Sequence, residues 1–338
     1  VVTAAVALAD PATDLALMVM TTAPDVPGLT RQLADGAERA AAGGKPTLYV
    51  MLPGRVAAPA REMLVERSLP YVDTLAEAMD MLRGWKAWST HEEPGTPQRP
   101  ADMPATVVPA DGTLGEGASK ALLGRAGIPV NQERIVADAE EAVAAAGDLG
   151  YPLVLKVVSP DIAHKSDVGG VALNIADADD LRRRLAAMQA GVAQAAPKAR
   201  IDGYSLQKQE SGELELIVGA RRDPQFGAQV VVGAGGVLVE LLKDVAVLPA
   251  PVDAAAARRA ALALKVAPLL RAYRGRGALD VDAVVDAIVR LGWLAHDLEA
   301  GGCDFEIEVN PLKVKLAGQG AVAVDARARV ERVESASV

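Results

Sequence analysis

The chain carries two hydrophobic rhythms, and the change between them divides it. Up to Leu82, short apolar runs at Asp14–Met20 and Gly43–Leu52 and a shorter one at Pro70–Asp73 stand between helix-like stretches. Those stretches are Val2–Ala9, Leu29–Ala42, Ala57–Ser68 and Leu75–Leu82. Buried strands alternating with helices predict a parallel sheet with helices on its faces, over residues 1–85. Such a unit ordinarily opens with a strand. This one opens with a helix and without Met, so we read it as a processed piece of a longer protein whose first strand is missing.

Residues 86–113 have no period, and "HEEPGTPQRPADMPATVVPADG" is dense in Pro, Gly and charge, which predicts a solvated linker. Residues 114–330 then read as an α+β region, with 331–338 as a tail. Helices are expected at Gly117–Ala126, Ala137–Ala146 and Leu181–Ala195, and strands at Leu153–Val158 and Gly170–Ile175. From Tyr204 to Leu248, strands broken by Ser211-Gly212, Asp223-Pro224 and Gly233–Gly236 predict an antiparallel meander. Val281, Val284, Ile288, Leu291, Ala295 and Leu298 recur at helical spacing. Strands at Phe305–Asn310 and Ala321–Asp325 close the fold, and there is no internal repeat.

Composition narrows the function classes. With 51% apolar residues in 338, the chain can build two or three cores, made of aliphatics because only 3% are aromatic. The net charge of -9 argues against nucleic acid, so an anionic ligand must be met by local basic groups. The single cysteine, Cys303, rules out an intramolecular disulfide and fits a reducing cytoplasm. No apolar stretch reaches the ~18 residues of a membrane span, and the longest charge-free one, Pro224–Val239, is broken by glycines, so no membrane role is expected.

Four stretches carry chemistry. Lys156 lies between Val154 and Val158 on one face of a strand, and burying its charge is costly unless an anion meets it; the alternative is a lysine snorkelling from a sheet edge. In the turn beyond, Lys165, Ser166 and Gly169-Gly170 offer a charge, a hydroxyl and backbone N–H groups to a phosphate. On "CDFEIEVNPLKV", Glu306, Glu308 and Asn310 share a face, and with Asp325 they form a candidate magnesium site, or else an exposed acidic face. In "LQKQESGELELIVGARRDPQFG", residues Gln207–Glu210 could present groups to an adenine edge and Glu215 could take ribose hydroxyls, or the segment is an ordinary hairpin.

In this order these stretches resemble the ATP-grasp module of the NDP-forming (ADP-forming) acyl-CoA synthetases, relatives of succinyl-CoA synthetase. "YPLVLKVVSPDIAHKSDVGGVALNI", "ELIVGARRDPQFG" and "EIEVNPL" carry the resemblance, which covers about 113–330. Residues 1–85 resemble the flavodoxin-like ligase domain of fused members. The fold expected is therefore α/β: a partial flavodoxin-like parallel domain followed by an α+β ATP-grasp domain of two subdomains.

The resemblance implies roles. Lys156 would hold the phosphates of ATP or ADP and the loop Lys165–Gly170 would close over them. Gln209 and Glu210 would hinge against adenine, Glu215 would bind ribose, and Arg276 would lie near the nucleotide. Asn310 and Asp325 would hold Mg²⁺ with Glu308 nearby. The implied reaction is acid + CoA + ATP to acyl-CoA + ADP + phosphate, by way of an acyl phosphate and a phosphohistidine. No G-x-G-x-x-G opens a helix and the main phosphohistidine domain is not in this sequence, so CoA would be bound mainly by an N-terminal half, on the same precursor or a separate chain. An oligomer is expected. The small carboxylic acid, whether acetate or an aryl acid, is not legible.

His164 stands beside the candidate phosphate loop and matches the ATP-grasp histidine of two-relay members; it either relays or contacts a phosphoryl group or steadies the loop. His296, in the amphipathic helix, is read as structural and His91, in the linker, as solvated. Two rival readings predict different behaviour. Another ATP-grasp carboxylate–amine ligase would turn over ATP without CoA, and a nucleotide-sensing regulatory module would not turn it over.

Overall fold

In a computed structural model, residues 10–20, 31, 35, 38, 45–51, 57–90, 95–109, 111–162, 164–236 and 242–333 are described. The helix expected at Val2–Ala9, most of that at Leu29–Ala42, and His91 lie outside them. The chain divides into two units, Val1–Glu93 and Pro94–Val338.

In the first unit, β1 (Ala16–Met20), β2 (Thr47–Met51) and β3 (Tyr71–Val72) form a parallel sheet in the order β1-β2-β3. Strand β2 has no polar face because both its faces are covered. Leu48 and Val50 pack with Ala78, while Tyr49 and Met51 pack with Leu64. Leu64 belongs to α1 (Ala57–Glu66) and Ala78 to α2 (Leu75–Ser89), whose start is fixed by a capping box between Thr74 and Glu77. Helix α2 continues seven residues beyond the expected Leu82.

The second unit is built on two antiparallel sheets. Its elements begin with β4 (Gly112–Leu114), α3 (Glu116–Arg125), β5 (Glu133–Val136), α4 (Ala139–Leu149), β6 (Leu153–Val158), β7 (Val171–Ile175), α5 (Ala178–Ala195) and β8 (Gly203–Lys208). There follow β9 (Leu214–Asp223), β10 (Gly227–Ala234), β11 (Val245–Pro249), α6 (Ala254–Ala263), α7 (Ala267–Leu270), α8 (Val281–Ala300), β12 (Cys303–Val314), β13 (Ala321–Ala323) and β14 (Ala326–Arg332). The smaller sheet runs β5-β8-β6-β7; the larger runs β11-β10-β9-β12-β14-β4, with β13 on β12. The expected meander is therefore split. Strand β8 pairs with β5 and β6 in the small sheet, and only β9, β10 and β11 form a meander. Alternation in this stretch marks strands but not their partners, because partner choice is tertiary.

Leu153, Leu155 and Val157 of β6 are fully buried against Ala142, Ala146 and Leu149 of α4 and Leu181, Leu185 and Met188 of α5. On the large sheet, Val284, Ile288, Leu291, Ala295 and Leu298 of α8 are 0% exposed, the face read from their spacing. His296 stacks edge-on to Trp293 at 5.4 Å, in keeping with a structural role.

The linker differs from its reading as a solvated tether. Met103 is buried, the Trp293 indole donates to Gln98 O at 3.1 Å, and Thr106 N donates to Asp297. Arg99 pairs with Asp297, and Arg290 donates to both Asp102 oxygens at 3.0 Å. Residues 95–109 thus form a strap on α8. Pro-rich composition reports the lack of regular structure, not the lack of packing. Residues Glu331 and Arg332, read as tail, pair with Asp304 and Cys303. No helix among the described residues is long and apolar enough to cross a membrane.

Candidate functional site

The site begins with a buried lysine on a strand. Alternation along β6 turns Lys156 away from the small-sheet core, and the residue is 7% exposed. Its Nζ donates to Glu116 Oε1 at 2.6 Å and to Asp325 Oδ2 at 3.1 Å. Lys156 comes from the small sheet, Glu116 from the start of α3, and Asp325 from the bend between β13 and β14 of the large sheet. The snorkelling alternative is thereby corrected: the ammonium is buried and paired, not extended to solvent.

Glu116 is the hub. Besides Lys156, it accepts from Lys120 Nζ at 2.9 Å, Lys165 Nζ at 2.8 Å and Gln207 Nε2 at 2.7 Å. It opens α3, where unpaired N–H groups and the helix dipole favour a carboxylate. Burial alone would raise its pKa, but the charges of Lys156, Lys120 and Lys165 outweigh burial and hold it far below the ordinary glutamate range. For Lys156, burial alone would lower the pKa; Glu116 and then Asp325 outweigh it and hold the ammonium above the ordinary lysine value.

A second layer fixes the first. Lys120, only 2% exposed, also reaches Glu133 at 3.3 Å. Gln207 Nε2 donates to Glu133 at 3.2 Å and to Ser205 Oγ at 2.9 Å, and Asn131 Nδ2 donates to Gln207 Oε1 at 3.0 Å. Glu116, Lys120 and Glu133 were not singled out from the sequence. The signal was present: Lys120 shares its helix face with Leu123, the same charged-among-apolar pattern that marked Lys156.

The loop after β6 is a single 3-10 turn, Lys165–Val168, entered at His164. Gly169 closes it at φ 69°, a conformation that favours glycine. A Cβ on Gly170 would lie 2.6 Å from Val157 Cγ1 and 2.8 Å from Lys165 O. Both glycine N–H groups point inward: Gly170 N donates to Lys165 O at 2.7 Å and Gly169 N to Ser166 O at 3.2 Å. In this conformation the glycines shape the turn and leave Lys165 as its anion-facing group. Ser166 and His164 are exposed, and the His164 side chain makes no capping bond.

The acidic face of β12 is matched by arginines. Glu306 stands opposite Arg221 and Arg329, and Glu308 opposite Arg327, so cross-strand charge relieves the repulsion expected there. Asn310 Nδ2 donates to Glu308 Oε1 at 3.3 Å, which leaves Asn310 Oδ1 available, and Asn310 N donates to Asp325 O at 3.1 Å. Glu308, Asn310 and Asp325 are thus neighbours offering hard oxygen donors. The set fits Mg²⁺, which takes one or two carboxylates and completes its shell with phosphate and water. Among the described residues no group of three or more His, Cys, Asp or Glu gathers into a metal cage.

Gln209 and Glu210 lie on the connection between the sheets, and Glu215 near the start of β9. The Gln209 side chain makes two bonds to Asn174: its Nε2 donates to Asn174 Oδ1 at 2.6 Å, and the Asn174 backbone N–H donates to Gln209 Oε1 at 2.7 Å. Glu210 accepts from Lys315 Nζ at 2.8 Å, and Lys313 Nζ lies 3.6 Å from Glu215. Gly236 leans on Glu215, whose Oε2 would be 2.5 Å from an added Cβ. Arg276 lies between α7 and α8, with its side chain 72% exposed and its guanidinium 3.7 Å from Glu213.

Comparison with known proteins identifies the family. The ATP-grasp domain family matches residues 108–330. The chain is 41% identical over 222 residues to a trans-feruloyl-CoA synthase of an unknown prokaryotic organism, covering 65% of this chain and 31% of that protein. It is 38% identical over 214 residues to the beta subunit of an ADP-forming acetate–CoA ligase of Pyrococcus furiosus, covering 63% of this chain and 90% of that subunit. An acetyl-coenzyme A synthetase of Ca. Korarchaeum cryptofilum, solved with coenzyme A and Ca-AMPCP, superposes with TM-score 0.61 at 36% identity, over 65% of this chain and 93% of that one. The chain thus spans under a third of the feruloyl-CoA synthase but nearly all of the beta subunit. Through residues 108–330, the chain belongs to the ATP-grasp family, in the branch of the ADP-forming acyl-CoA synthetases.

Proposed function

We propose that the chain is the nucleotide-binding half of an ADP-forming acyl-CoA synthetase, which makes acyl-CoA, ADP and phosphate from an acid, CoA and ATP. The observation that carries this is the placement of Lys156. A buried ammonium from one sheet meets Asp325 from the other, with Lys165 held 2.8 Å from the same Glu116. Cationic and oxygen-donor groups therefore converge where the two sheets meet, as a metal–polyphosphate complex requires.

In this reading Lys156 and Lys165 neutralise the phosphate charge, and Glu308, Asn310 and Asp325 hold Mg²⁺, which offsets charge on the phosphate oxygens when bound. Phosphoryl transfer asks mainly for positioning and charge stabilisation, and these residues supply both. Gln209, Glu210 and Glu215 line the connection where base and ribose would lie. The phosphoryl group would pass by way of phosphohistidine to an acyl phosphate, and CoA would attack that on a partner half carrying the CoA-binding domain. The names of the relatives support acetate or a feruloyl-type aryl acid as the acid class.

The test is titration calorimetry of the 338-residue chain with Mg-ATP, followed by acyl-CoA formation once the N-terminal half is supplied. Saturable one-to-one binding, and CoA-dependent ADP release only with both halves, are expected. No nucleotide binding would overturn the reading; ATP turnover with an amine in place of CoA would replace it.

A further inference from the structure

One carboxylate of the cluster already bridges two of its cations. We infer that Glu116 is a resident counter-anion: it holds Lys156 and Lys165 in the absence of ligand and yields Lys165, and a share of Lys156, to the phosphate chain on binding. The inference rests on the nucleotide reading above and concerns how that site is kept ready.

Three observations carry it. First, the two Glu116 oxygens are divided between the lysines, Oε1 to Lys156 at 2.6 Å and Oε2 to Lys165 at 2.8 Å, so one carboxylate spans both cations as a phosphate would. Second, the two lysines are not equally committed. Lys156 is 8% exposed at its side chain and has a second partner in Asp325, whereas Lys165 is 24% exposed and sits on the turn closed by Gly169 and Gly170. Third, Glu116 has other permanent partners: Lys120, at 2.9 Å, and Gln207, at 2.7 Å, hold the same Oε1 from deep within the domain.

That third observation gives Lys120 a purpose. A lysine 2% exposed, whose ammonium pairs with Glu116 and Glu133, is expensive unless its charge is needed there. It keeps Glu116 paired after Lys165 leaves, so the exchange strands no buried charge. Glu116 and Lys120 therefore oppose each other. The carboxylate competes with phosphate for the lysines, and Lys120 weakens that competition.

The opposition gives opposite signs to two substitutions. The probe is inorganic tripolyphosphate, a phosphate chain with no base or ribose, titrated calorimetrically into the full chain. Glu116→Gln is expected to bind it roughly tenfold more tightly than wild type, the effect of removing one charge-assisted competitor. Lys120→Met is expected to bind it roughly tenfold more weakly, because Glu116 then holds the remaining lysines harder. If Glu116→Gln does not fold, Glu116→Asp decides. It keeps the charge for Lys120 but is one methylene too short to span both lysines, and about a threefold gain is expected. A purely structural Glu116 predicts losses in every variant, and equal or weaker binding by the Glu116 variants overturns the inference. Wild-type chain that binds no Mg-ATP overturns the nucleotide reading instead, so the two failures are distinguishable.

Discussion

Lys156 Nζ lies 2.6 Å from Glu116 Oε1, joining residues 40 positions apart in the chain. The pair has a pH signature. The Glu116 carboxyl titrates far below the ordinary glutamate value of 4.5, so the folded state binds fewer protons there than the unfolded state. Its contribution is present in full above about 4.5 and is lost as pH falls towards the folded value. Glu116→Gln should therefore cost about 3 kcal/mol near neutrality, where a buried charge cluster loses one member. The gap from wild type should narrow below pH ~4.5. Urea midpoints at pH 7 and pH 3 check this, and a gap that stays constant would contradict it.

Lys156→Ala removes the cation at the centre of the proposed phosphate site. Mg-ATP affinity should fall by about a hundredfold or more, the loss expected for a desolvated charge-assisted contact. Calorimetry reads it directly, and unchanged affinity would sink the nucleotide assignment. Thermal stability should fall less than in Glu116→Gln, because Glu116 keeps Lys120, Lys165 and Gln207.

Much of this site could be read from local pattern, because its signals are local. Lys156 among valines, the glycine pair and the oxygen face of β12 each break a period that the neighbouring residues set. What could not be read was set by long-range pairing. Lys165 and Lys156 share one carboxylate only because α3 delivers Glu116 to β6. The strap was hidden for a similar reason. Met103 and Arg99 have no period of their own, and Arg99 finds its partner Asp297 on α8, nearly 200 positions on. Strand β8 was assigned to the wrong sheet because alternation fixes a strand's faces and not its neighbours.

The two glycines of the proposed phosphate loop should respond differently. An alanine at Gly169 meets no atom within 4 Å and is strained only by its φ of 69°, a cost of about 1 kcal/mol. An alanine at Gly170 meets Val157 and the Lys165 carbonyl, so the turn must open, at about 1–3 kcal/mol. Opening moves Lys165, so Gly170→Ala should also weaken Mg-ATP binding more than Gly169→Ala does. Faster hydrogen exchange at the residue-170 N–H, which donates to Lys165 O at 2.7 Å, would accompany it. Equal effects at the two positions would contradict this account.

Arg290 ties the strap to the domain, since it bonds Asp102, Asp286 and Ala126 O together. Arg290→Met should destabilise the second unit by about 2 kcal/mol, as both aspartates can return to water but the buried carbonyl cannot. Cleavage within 95–109 should appear first in limited proteolysis. Resistance equal to wild type would mean that Met103 and the Arg99–Asp297 pair hold the strap alone.

His164 stands at the entry to the 3-10 turn, exposed, with its carbonyl accepting from Asp167 N at 3.2 Å and its side chain capping nothing. A steadying role would call for a side-chain bond to the turn, whereas a relay calls for an accessible imidazole; the exposed, uncapping His164 side chain supports the proposal of a relay. In the enzyme completed by the proposed N-terminal half, His164→Asn should lower ATP–ADP exchange by about a hundredfold or more, as loss of a covalent nucleophile does. Melting temperature and tripolyphosphate affinity of the chain should stay near wild type. A radiolabel from γ-labelled ATP should appear on His164, stable to base and lost in acid. Full exchange with no label, joined to a lower melting temperature, would make His164 a support for the loop, because only a structural role links those results.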